Sequence, residues 1–99
     1  MNQTDLTAKL ITGDPSVFSD IVEQCQAMVY NTILNIVQNE EDAEDLTQDV
    51  FIEVYETIRN FRQEAKLSTW LYRIAVNKAL EFGKRKKRRK YGGLLKSVY

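Results

Sequence analysis

The sequence predicts an all-α fold, and three observations carry that prediction. Apolar residues recur at i, i+3 and i+4 through three long segments, which is the spacing of one face of a helix. No segment alternates apolar and polar residues as a half-buried strand would. Proline occurs once, at position 15, where it suits the first turn of a helix and interrupts nothing. Ninety-nine residues with 43% hydrophobic content suffice for one small domain with a real core. The expected architecture is a compact bundle of three main helices plus a short N-terminal helix.

The short leading helix is expected over residues 4–12, stopped by Gly13. Asp14 and Pro15 form a start signal, a capping carboxylate followed by proline in the first turn. From there Val17, Phe18, Ile21, Val22, Cys25, Met28, Val29, Ile33, Ile36 and Val37 keep helical spacing, so a long core helix is expected to end near Asn39. The next helix is expected over residues 42–60, with acids in its first turn, as the helix dipole favours. Its core side is Ala43, Leu46, Val50, Val54 and Ile58. A polar connector follows at 61–67, and the last helix begins near Ser68 or Thr69 with Leu67, Leu71, Ile74, Ala75, Ala79 and Phe82 on its buried side. Lys78 falls within that stripe, so its stem should pack while its ammonium reaches water. After Lys90 the Tyr91-Gly92-Gly93 sequence is expected to end the order, which divides the chain into a domain at 1–90 and a linker or tail at 91–99.

Composition narrows the function by exclusion. The chain has no histidine and a single cysteine, Cys25, which lies in line with the core stripe and reads as a buried thiol. It has no glycine-rich phosphate loop and no metal-ligand spacing, so no catalytic residue, metal or cofactor is expected. The acids of 40–45 lack the glycine and spacing of a calcium loop. No apolar run is long enough to span a bilayer, and the polar start is no signal peptide. A cytoplasmic protein without membrane contact is expected.

A net charge of zero conceals a polarised molecule. Residues 1–56 hold twelve acids and one base, a net −11, whereas 57–99 hold thirteen bases and two acids, a net +11. That asymmetry points to an acidic surface for one partner and a basic surface for another, or to a bundle that neutralises itself. Opposite the core stripe of the 42–60 helix lie Asp45, Gln48, Asp49, Ile52, Tyr55 and Glu56. Apolar anchors rimmed by charge describe a protein-docking surface, although single exposed hydrophobes are ordinary on any protein. On the last helix Trp70, Arg73, Asn77 and Lys84 share a narrow arc beside the apolar stripe. Seven consecutive cations, 84–90, then follow. An aromatic that stacks on a base, an amide that reads a base edge and cations for phosphates suit unpaired DNA. Trp70 taken alone is equally at home in a core. The cation run by itself would also serve an anionic membrane or RNA.

At these residues the sequence resembles a known family. Asp-Leu-Thr-Gln-Asp-Val-Phe at 45–51, Phe61-Arg62, and Ser-Thr-Trp-Leu-Tyr-Arg-Ile-Ala-Val-Asn at 68–77 resemble region 2 of bacterial extracytoplasmic-function (ECF) sigma factors, in order, over roughly residues 3–90. The resemblance implies that Asp45, Gln48, Asp49, Ile52, Tyr55 and Glu56 dock on the clamp helices of the largest subunit of core RNA polymerase. It implies that Phe61, Arg62, Lys66, Ser68, Thr69, Trp70, Tyr72, Arg73, Asn77, Lys84, Arg85 and Arg88 contact promoter DNA, chiefly the non-template single strand of the minus-ten element. In the family the matching tryptophan and asparagine lie at the upstream edge of that element, and the loop matching 62–66 resembles a pocket for one flipped-out base, at an unstacking cost of a few kcal/mol. An anti-sigma factor is a further implied partner. Complete members carry a second helical domain, region 4, and this chain stops in what looks like the linker, so it is expected to be a fragment or a minimal factor. The competing reading is a helical protein–protein adaptor whose basic tail binds nucleic acid or membrane without sequence preference.

Overall fold

The computed structural model describes residues 15–58 and 66–98; the expected leading helix at 4–12, the 61–65 part of the connector, and with it Phe61 and Arg62, lie outside the described residues. Three helices make up the described chain: α1 (Pro15–Val37), α2 (Glu40–Thr57) and α3 (Leu67–Val98). The first packs against both others more extensively than those two pack on each other. It is therefore the central element of the bundle.

The core is built from the stripes that helical spacing picks out. Ile21, Val29 and Ile33 of α1 meet Ala43, Leu46, Val50 and Val54 of α2, Ile58 at its C-cap, and Leu67, Leu71, Ile74, Ala75 and Ala79 of α3. Phe51 is also buried, although it lies one residue off the α2 stripe. A groove between two neighbours accepts a wider face than a single line of i, i+4 positions. Tyr30 and Leu34 pack against the same core from α1 for the same reason. Each fully buried Ile, Leu or Val contributes roughly 1.5–3 kcal/mol relative to exposure.

Two expected core residues of α1 are corrected. Ile36 is 37% exposed, because it lies in the last turn of α1, where the chain turns away towards α2. Cys25 is half-buried rather than enclosed and packs at the margin of the core. Desolvation still raises its thiol pKa above the usual value.

The boundary between α1 and α2 falls earlier than the apolar pattern suggests, and two polar residues decide it. Gln38 adopts the left-handed region at φ 57°, and its N–H donates to the Leu34 carbonyl at 2.8 Å, closing the end of α1. Asn39 is extended, and its side-chain oxygen accepts from the Asp42 N–H at 2.9 Å, capping α2. Glu40, Glu41 and Asp42 fill the first turn of α2, where the helix dipole favours negative charge. A two-residue corner thus reverses the chain and fixes the angle between both helices.

The last helix begins at Leu67, with the Trp70 N–H donating to the Lys66 carbonyl at 3.1 Å. It continues to Val98 instead of stopping after Lys90. Glycine costs a helix about 1 kcal/mol per residue relative to alanine but does not block its hydrogen bonds as proline would. Gly92 and Gly93 therefore do not end it. As expected, Lys78 is only partly exposed, and its Nζ lies 3.1 Å from Glu53 Oε1 of α2.

Candidate docking and nucleic-acid interfaces

The outer face of α2 holds all six residues singled out for docking. Asp45, Gln48, Asp49, Ile52, Tyr55 and Glu56 are exposed, with Ile52 at 55% and Tyr55 at 63%. They follow from the amphipathic turn of α2: its core stripe is buried, so the opposite positions face water. Tyr55 is held in place by an edge-on contact with Phe18 of α1, ring centroids 5.2 Å apart at 71°. Beside this face a groove of about 440 Å³ runs between α1 and α2, lined by Phe18, Val22, Gln48, Phe51, Ile52 and Tyr55. Helical spacing within α2 cannot reveal that groove, because Phe18 and Val22 in its lining come from α1. Thr47, also at its edge, donates to the Ala43 carbonyl at 2.6 Å, which leaves the groove apolar in character. Tyr30, further along the same helix pair, has its phenol pKa raised by burial and then by the charges of Glu40 and Glu44.

The second surface belongs to α3. Arg73, Asn77 and Lys84 are exposed, and Trp70 is half-buried, one part of it packed on the core. With about 3.6 residues per turn these four, together with Arg88, fall on one side of the helix. Ser68 and Thr69 in the first turn are half-buried, and Lys66 just before it is exposed. Not every candidate joins this ridge. Tyr72 is exposed but lies on the opposite flank of the core stripe from Trp70, and Arg85 falls outside the arc. Lys84 to Arg89 are all exposed, and Lys86 approaches Asp42 at the start of α2, Nζ to Oδ2 3.8 Å. One cation of the run is thereby partly engaged within the bundle.

Leu80 was assigned no role from the sequence, yet it is 51% exposed one turn beyond Asn77. Its signal in the sequence is an aliphatic residue on the polar side of an amphipathic helix. Among the described residues no group of three or more His, Cys, Asp or Glu side chains could hold a metal ion, and no helix is long and apolar enough to cross a membrane.

An acidic face with apolar anchors on one helix and a cationic ridge with an aromatic and an amide on another define a helical domain with two chemically distinct surfaces. The Sigma-70 region 2 family matches residues 21–89, and the chain belongs to that family. It is 39% identical over 75 residues to the ECF RNA polymerase sigma factor SigW of Bacillus subtilis (strain 168), covering 76% of this chain and 40% of that protein. It is 35% identical over 74 residues to the RNA polymerase sigma-H factor of Pseudomonas aeruginosa, covering 75% of this chain and 38% of that protein. The chain thus spans about 40% of the length of the curated relatives it matches. Among solved structures, an engineered region 2 of sigmaE in complex with GTAAAA, determined by NMR, superposes with a TM-score of 0.82 at 32% identity, over 90% of this chain and 93% of that one. The all-α architecture of three main helices expected from the sequence is the one the described residues adopt, and it superposes on that sigmaE region 2.

Proposed function

We propose that this chain acts as the region 2 module of an ECF-type sigma factor. It docks on the clamp helices of core RNA polymerase through the outer face of α2, and it captures the melted minus-ten strand with α3 and the connector that precedes it. The observation that carries this reading is the likeness, at 32% identity and a TM-score of 0.82, to a sigmaE region 2 solved in complex with GTAAAA. The placement of the two exposed faces on separate helices supports it, since polymerase and DNA can then be held together.

In this reading Ile52 and Tyr55 supply apolar contact within an acidic rim. Trp70 stacks on a base, Asn77 reads a base edge, and Arg73, Lys84 and Arg88 meet phosphates. Phe61, Arg62 and Lys66 contribute from the connector, with Ser68 and Thr69 at the start of α3. Tyr72 and Arg85 contact DNA only where the strand passes around the helix. The module binds and positions without catalysing, works in the cytoplasm, and is silenced by any anti-sigma factor that covers either face. Residues 91–98 prolong α3 as a link beyond the binding domain.

Competition binding tests the function. Labelled promoter-like single strands are titrated with the domain in the presence of random single strands and of duplex. Preference for particular unpaired sequences supports the reading, whereas equal competition by random strands would leave the basic adaptor as the better description. Binding to a clamp-helix fragment provides the second arm.

A further inference from the structure

A shallow groove of about 380 Å³ lies between the end of α1 and the middle of α3. Its floor is apolar, with Ile36, Val37, Leu80 and Phe82, and Lys84 and Lys87 stand at its rim. Ile36 and Leu80 are both partly open to water here, and the floor they form lies where the seven-cation run begins. Neither residue belongs to the polymerase-facing side of α2. Leu80 comes three residues after Asn77 and four before Lys84, so its Cβ lies about 5–6 Å from each of theirs. An amide, an aliphatic group and an ammonium therefore succeed one another along a single ridge.

We propose that this groove is an apolar subsite of the DNA interface and that it receives the C5-methyl group of a thymine. Leu80 makes the contact, with Ile36 behind it, while Asn77 takes a neighbouring base edge and Lys84 a phosphate. The proposal rests on the DNA-binding reading of α3. Its chemical basis is that the thymine methyl is the apolar group among the base-edge features of DNA, and aliphatic side chains discriminate by touching it. An acidic amphipathic peptide also suits an apolar floor with a cationic rim. Leu80, which lines the groove, stands about one turn from Asn77 on the same ridge of α3, and that neighbouring amide favours DNA.

The test uses uracil, which differs from thymine only by that methyl. The whole chain is titrated by fluorescence anisotropy with oligo-dT and oligo-dU strands of equal length. A strand containing GTAAAA is then compared with its single-uracil counterpart, both free and at the edge of a duplex. The proposal expects a thymine-to-uracil loss of about fourfold, the equivalent of roughly 0.8 kcal/mol for one buried methyl. Leu80→Ala should abolish that difference and Leu80→Met should retain it. Alanine at an exposed helical position preserves the fold, which circular dichroism checks. Equal affinity for thymine and uracil strands, or full discrimination surviving in Leu80→Ala, would overturn the subsite while leaving strand binding by α3 intact. Leu80-dependent binding of an acidic amphipathic peptide, without thymine discrimination, would assign the groove to a protein partner instead. Failure of the unaltered chain to bind any of these strands would overturn the DNA reading itself, and the subsite with it.

Discussion

Lys78 Nζ lies 3.1 Å from Glu53 Oε1, joining α3 to α2 across the margin of the core. This lysine occupies a position that helical spacing assigns to the apolar stripe. The pair accommodates its charge without burying it, since both side chains keep part of their surface in water. Exposed and half-exposed ion pairs contribute about 0–1 kcal/mol. Glu53→Gln should therefore lower the urea midpoint only slightly, and the effect should shrink further at high salt. Lys78→Met should be neutral or stabilising, because an apolar side chain of similar length fills the same stripe. A loss above about 3 kcal/mol for either variant would mean that the pair is buried more deeply than the structure describes.

Docking should depend on Ile52 more cleanly than on Tyr55. Ile52 projects from α2 on the exposed face, so Ile52→Glu should leave the helical circular-dichroism signal and the urea midpoint unchanged while weakening capture by a clamp-helix fragment. Tyr55→Ala also removes the edge contact with Phe18, which is worth about 0.5–1.5 kcal/mol, and should show a small stability loss as well. Unchanged capture by both variants would remove this face from the mechanism.

The cation run should supply affinity rather than sequence choice, and unequally. Each lost phosphate contact should lower the log–log salt slope by roughly 0.7 to 0.9. Lys86 already approaches Asp42, so Lys86→Gln should change the slope less than Lys87→Gln or Arg88→Gln. Anisotropy titrations over a salt series measure all three. An altered sequence preference with an unchanged slope would contradict the assignment.

Asn77 and Trp70 should separate by what they lose. If Asn77 reads a base edge as proposed, Asn77→Ala should cost about 1–3 kcal/mol on the preferred oligonucleotide and little on mismatched ones. Trp70 packs in part on the core and in part lies on the α3 ridge, so Trp70→Ala should both lower stability and weaken binding to all unpaired sequences. The stability loss should fall short of the about 3–5 kcal/mol typical of a fully buried tryptophan. A large loss of stability with unaltered binding by the folded fraction would make Trp70 a core residue only.

The corner between α1 and α2 offers a test of the fold alone. Gln38 holds φ 57°, a conformation that costs a side-chain-bearing residue about 1–2 kcal/mol. Gln38→Gly should relieve that strain but gain unfolded-state entropy, for a net stabilisation of about 0.5–1 kcal/mol. Asn39→Ala should lose about 1 kcal/mol with the α2 cap. Thermal or urea unfolding reads both, and opposite signs for two adjacent residues are hard to obtain from any other cause.

The sequence by itself determined the helical class, the buried stripes and the two polar faces, because each depends only on which residues recur at helical spacing. Ala43, Leu46, Val50, Val54 and Ile58 are buried and Asp45, Gln48, Asp49, Ile52, Tyr55 and Glu56 are exposed for that single reason. The resemblance carried by residues 45–51 and 68–77 likewise needed no coordinates. Tertiary structure decided whatever depends on a neighbour. Phe51 is buried although its own helix gives it no such place, because α1 lies against it, and Ile36 is partly bared because α1 ends beneath it. The α1–α2 groove at Tyr55 and the Ile36–Leu80 groove at the cation run each draw their walls from two helices. Periodicity along one helix describes a surface; only the packing of a second helix turns that surface into a core, a groove or a ridge.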